Sequence, residues 1–180
     1  LTEKMKSVVD DLAHDVGNYT QDYCDAFQQL VGDDPIVRLL QPTWTGQNHH
    51  LARADLAVRL LCFLDDLQPT ENETVLFWGH SHAGNAFAIL SNLLANDRTA
   101  VAAFFAAAGR QDEEHWARAR HILDSGASPH PWAKSAIIVA FGTPVRYGWD
   151  TNGYQRLVHV LHHKRADDGN DHRAQPMFPA

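Results

Sequence analysis

The chain has 180 residues, enough for one domain with a sizeable core. Hydrophobic residues make up 44% and charged residues 21%, which excludes a disordered chain. The 22 acidic and 15 basic side chains give a net charge of -7, with no basic stripe, so nucleic acid is not expected as a partner.

Residues 1 to 30 read as helix: Met5, Val8, Val9, Leu12 and Val16 share one face, and Tyr23, Phe27 and Leu30 continue it. Gly32-Asp33-Asp34-Pro35 is a loop. "IVRLLQPTW", residues 36–44, reads as a short buried strand, and "TGQNHH" as a loop. "LARADLAVRLLCFLDDL" is an amphipathic helix with Leu51, Ala54, Val58, Leu61 and Leu64 on one face. A turn over 69–72 leads into the strand "TVLFW", and from about Ala83 to Leu94 the period becomes helical. Residues 98–128 read as two helices around Gly109. "SAIIVAF", 135–141, is a strand, "GTPVRYGWD" a loop and "GYQRLVHVLHHKR" a helix. After Arg165 the composition turns polar and loses its period.

Strands alternating with helices predict an α/β fold, a parallel sheet flanked by helices with right-handed crossovers. The core is expected over 1–165, with a helical insertion at 98–130 and a loose polar tail at 166–180. Cys24 and Cys62 lie in unrelated helical patterns and read as free thiols. No run reaches the length of a membrane span, so no transmembrane segment is expected. No signal peptide is visible, which favours the cytoplasm. The oligomeric state is not legible.

The chemistry concentrates in "TVLFWGHSHAGNAFAIL", residues 74–90. A parallel strand that turns sharply into a helix forces the turn residue toward a strained backbone. Its neighbours two positions either side must then be small. Gly79 and Ala83 hold those positions around Ser81, and Gly84 follows. This is the G-x-S-x-G nucleophile-elbow pattern with Ala83 in place of the second glycine. Such a turn lifts the Ser81 hydroxyl above the sheet and offers the His82 backbone N–H, at a helix start, to an oxyanion. The competing readings are an ordinary turn and a metal site using His80 and His82, with His49-His50 as further ligands. No metal-binding continuation follows, so neither metal nor cofactor is expected.

"GHSHAGN" resembles the G-H-S-x-G-G-N elbow of bacterial lipase/esterase-like members of the α/β-hydrolase fold. "WTGQN", Trp44 to Asn48, with Arg53 beyond it, is similar to a W-[ST]-G-x-N loop in some of them. "FGTPVRYGW", Phe141 to Trp149, resembles the G-T-P segment after the strand that follows the elbow. The resemblance covers about residues 35–165. It places 36–44, 74–78 and 135–141 as the fourth, fifth and sixth strands of that fold.

The resemblance implies acyl transfer on a small-molecule or lipid ester, with Ser81 as nucleophile and the His82 N–H as oxyanion donor. Trp44, Asn48, His80 and Tyr147 become substrate-pocket candidates. Trp44 as a packed lid and Asn48 as a helix cap are equally open, and Tyr147 and Trp149 carry the same ambiguity. The family also has an H-G loop after its third strand, an acid after its seventh and a histidine after its eighth. None of those strands is legible, and the chain begins with Leu1. The expectation is a truncated core whose remaining triad lies outside the chain, leaving the isolated chain inactive. Within it, Asp150 and His172 are the candidates for acid and base, although Asp150 reads more readily as a helix cap. The rival classes are a non-catalytic interaction module of the same fold and a His-ligated metal hydrolase.

Overall fold

The computed structural model describes residues 19–31, 37–42, 44–110 and 112–161. The chain divides into two compact units, Leu1–Gln47 and Asn48–Ala180.

In the first unit, helix α1 spans Gln21–Val31. Thr20 caps it, its hydroxyl accepting from Tyr23 N–H at 3.2 Å. Gln41 Nε2 donates to the Tyr19 carbonyl. The strand expected over 36–44 is not present among the described residues: 37–42 and Trp44 carry no regular secondary structure. Val37, Leu39 and Leu40 are exposed there. An apolar run becomes a strand only beside another strand's free N–H and C=O groups.

The second unit is α/β. Its elements are α2 (His50–Leu67), β1 (Val75–His80), α3 (His82–Ala95), α4 (Arg98–Ala108), α5 (Glu114–Ser125), β2 (Ala136–Phe141) and β3 (Arg156–Val160). Single 3₁₀ turns at Pro131–Lys134 and Thr151–Gly153 precede β2 and β3. The three strands form one parallel sheet in the order β1-β2-β3. Val75 faces Ala136, and Ile137 faces Arg156.

The helices follow from composition. In α2, Leu56, Ala57, Val58, Leu60, Leu61 and Leu64 are all buried, and a helix apolar nearly all round must pack on several sides. It packs on α3 and α5. Asp55 fastens α2 to α5: its carboxylate accepts from Trp116 Nε1 at 3.1 Å and lies 2.7 Å from His115 Nε2. At the far end of α3, Asn96 is fully buried and donates to the carbonyls of Leu123 and Ala127. The paired helices expected in 98–128 are α4 and α5, and Gly109 closes the first in a left-handed cap.

Of the helix expected over 153–165, residues 162–165 lie outside the described residues, and 153–161 form no α-helix. Arg156–Val160 is a strand, and Leu161 follows without regular structure. The segment is mostly exposed, so its apolar residues mark no helical face. β-branched Val158 and Val160 suit the pleat, and hydrogen bonding to β2 decides the outcome. The crossover between these parallel strands is a loop with one 3₁₀ turn, where an α-helix is the usual solution.

Among the described residues, no helix is long and apolar enough to cross a membrane.

Candidate functional site

β1 ends at His80 and α3 begins at His82, leaving Ser81 alone between them. Its backbone stands at φ 53°, ψ -116°. Two other described non-glycine residues have positive φ, Gln68 and Asn96, and both sit in the ordinary left-handed well that closes a helix. Ser81 lies outside every favoured region for an L-residue. Such a residue costs about 1–3 kcal/mol and persists only where its surroundings over-determine it.

Those surroundings are steric. A Cβ on Gly79 would stand 2.4 Å from the Phe87 ring and 3.0 Å from Ala83 Cβ. A Cβ on Gly84 would stand 2.0 Å from Thr143 Oγ1. Small residues at 79, 83 and 84 therefore let strand, turn and helix close together. Ser81 N–H donates to the Phe141 carbonyl at 2.9 Å, continuing the pairing of β1 with β2 one residue past the strand. The serine thus sits at the carboxyl end of a parallel strand. That strand is at the edge of the three described strands, with β2 central.

Ser81 Oγ makes no hydrogen bond among the described residues, and none caps α3. As the first helical residue, His82 has a backbone N–H with no intrahelical acceptor. Together with the positive end of the helix dipole, this creates a local preference for negative charge.

Polar groups crowd the turn without pairing. Among the described residues, five buried side-chain atoms lack a partner: Arg53 Nε, His82 Nδ1, Asn85 Nδ2, Thr143 Oγ1 and Asn96 Oδ1. His82 follows Ser81, Thr143 presses on Gly84, Arg53 acts on His82 and Asn85 lies on the next turn of α3. Buried polar atoms are normally satisfied, so their concentration here is unusual for a core. The His82 imidazole is held below the usual histidine range, first by burial, then by the positive charges of Arg53, Arg146 and His80.

Arg53 is 2% exposed. Its Nη1 donates to Tyr147 Oη at 3.3 Å, and its Nη2 to Asn48 Oδ1. Tyr147 Oη also lies 2.7 Å from His50 Nδ1. Asn48 therefore holds Arg53 instead of capping α2. The cap is His49, whose Nδ1 accepts from Ala52 N–H at 3.1 Å.

The remaining sequence candidates disperse. His80 is exposed and sits against Gly142. Trp44 is half-buried in the first unit. Asp150 is a cap: its carboxylate accepts from Asn152 N–H at 2.9 Å, and its own N–H donates to Ser91 Oγ at 3.3 Å. Ser91 is ten residues along α3 from Ser81, about 15 Å of helix, so Asp150 is not brought to the serine. His172 lies outside the described residues. Among the described residues, the side chains whose ligand atoms converge are Asp55, Glu113 and His115, away from His80 and His82. Asp55 and Glu113 there already accept from Arg59, Trp116 and Arg110. Arg146 and His50 stand beside Tyr147, the first next to it in sequence and the second through its imidazole.

No protein-family model, no curated protein and no solved structure matches the chain.

Proposed function

We propose that the chain carries the nucleophile of a serine hydrolase of esterase or lipase type, acting by acyl transfer. The observation that carries this reading is the strained Ser81 backbone between a parallel strand and a helix, with its hydroxyl unengaged among the described residues. A protein gains nothing in stability from that conformation, so strain at a serine points to use of its hydroxyl.

In this mechanism Ser81 Oγ attacks an ester carbonyl and loses its proton to a base. The carbonyl oxygen gains negative charge, which the His82 N–H and the α3 dipole stabilise. The tetrahedral intermediate collapses with departure of the alcohol, and water later releases the acid from Ser81. The base is a histidine outside the described residues.

The test is labelling by a fluorophosphonate, followed by mass spectrometry, beside hydrolysis of an activated ester. Both are run on the 180-residue chain and on any longer product of its reading frame. In this reading at least one form labels at Ser81 and loses both signals in Ser81→Ala. If neither form labels beyond its Ser81→Ala control, the hydrolase reading fails, and a non-catalytic module that keeps the turn for packing takes its place.

A further inference from the structure

A groove of about 600 Å³ lies between α2, α3 and α4, within the range of about 300–1,000 Å³ usual for small-molecule sites. Its walls are apolar over most of their length, with Ile89, Leu93, Val101 and Phe104 among them. His50, Arg146 and Tyr147 supply its imidazole, guanidinium and phenol. No aspartate or glutamate lines it, although the chain carries 22 acids against 15 bases.

A second observation concerns Arg53. This buried guanidinium has no carboxylate partner among the described residues, and one of its nitrogens has no partner at all. Buried charges are ordinarily paired, because desolvation of a lone ion is costly. Arg53 donates to Tyr147 Oη, so its charge polarises the phenol on the groove wall. Arg146 stands in the same loop, one residue before Tyr147, and is exposed. His50 adds the first turn of α2, the positive end of an 18-residue helix. Arg146 and a helix start therefore line one part of an apolar groove, with Arg53 behind its Tyr147, and no aspartate or glutamate is among its described lining residues.

We infer that this groove binds an amphipathic monoanion, a medium-chain carboxylate, with its head on Arg146 and Tyr147 and its chain between α3 and α4. The carboxylate supplies the countercharge missing at Arg53, acting through the Tyr147 hydroxyl. The chain removes apolar wall from water. The site does not depend on Ser81 as a nucleophile.

The test is calorimetric titration of the 180-residue chain with decanoate, decan-1-ol and acetate, each below its aggregation limit. Decanoate should bind saturably at one site. Decanol should bind at least about tenfold more weakly, having lost the charge-assisted contacts, and acetate should not bind measurably. Arg146→Gln, a change at an exposed residue, should weaken decanoate at least about tenfold. Ala107→Glu, on the exposed part of the groove wall, should do the same by placing a carboxylate beside the chain. Ser81→Ala should bind as the parent does. Thermal unfolding of each variant confirms that it is folded. Equal affinity for decanol and decanoate, an unaltered Arg146→Gln, or a folded parent that ignores decanoate would each overturn the assignment. A chain that binds decanoate yet never labels at Ser81 keeps this site and loses only the hydrolase reading.

Discussion

Gly84 and Thr143 approach so closely that a methyl group on the first would stand 2.0 Å from the hydroxyl oxygen of the second and 2.8 Å from its methyl. The first turn of α3 is thereby pressed against the segment leaving β2. Gly84→Ala should cost about 1–3 kcal/mol through overpacking. Thr143→Ala removes the two nearest of these atoms but leaves Cβ at 2.9 Å. The double variant should therefore recover part of the loss, with a coupling of at least about 0.5 kcal/mol. Urea unfolding of the four proteins measures it. Strict additivity would mean that the contact is not the constraint.

The strain at Ser81 makes an opposite prediction for a nearby change. Glycine adopts positive φ without steric cost, whereas alanine does not. Ser81→Gly should raise stability by about 1 kcal/mol, which at this chain length is a rise of about 2–4 °C in the unfolding midpoint. Ser81→Ala, which keeps the strain, should leave the midpoint nearly unchanged. Calorimetry decides between them, and a Ser81→Gly protein no more stable than Ser81→Ala would remove strain from the account of this turn.

His82 offers a reading of the field around the turn. Burial comes first among the causes that hold its imidazole below 6.5, and Arg53, Arg146 and His80 act in the same direction. The fold therefore prefers the neutral ring. Below pH 6.5 the unfolded chain takes up a proton that the folded chain resists, so this contribution is complete above 6.5 and is lost as pH falls toward the folded value. His130, also depressed mainly by burial, acts in the same window. An NMR titration should find both midpoints below 6.5. Arg146→Gln should raise the His82 midpoint and leave His130 in place. An unmoved His82 would show that Arg146 does not act on the turn.

Much of the second unit was legible because its strands and helices are buried and periodic. Phe77, Ile138 and Ala140 are buried strand residues, and the run around Leu61 is apolar on several sides. Steric logic alone located the small residues around Ser81, since crowding at a strand–helix turn leaves a direct mark on residue size. The segment at 156–160 was not legible. It has almost no buried face, so its conformation comes from β2 and not from its own pattern. The run at 37–42 failed for the converse reason, an apolar sequence that takes no regular secondary structure. In the site, Asn48 and Tyr147 stood out individually. Their relation through Arg53 joins residues 94 positions apart, which no local pattern records.

The helix-free crossover from β2 to β3 has a mechanical consequence. One part of this loop is riveted to α3: Gly153 lies so close that any side chain would strike the Ser91 carbonyl, and Asn92 Nδ2 holds the Gly148 carbonyl at 2.8 Å. Before these rivets, Val145 is 91% exposed and Arg146 projects beside it. The loop is thus clamped at Thr143–Pro144 and again along its later half, with its free tip at Val145–Arg146. Exchanges at 145–146 can reshape the rim of the groove without disturbing the register of the sheet. In related sequences, selectivity would drift at that tip first while the clamp stayed constant.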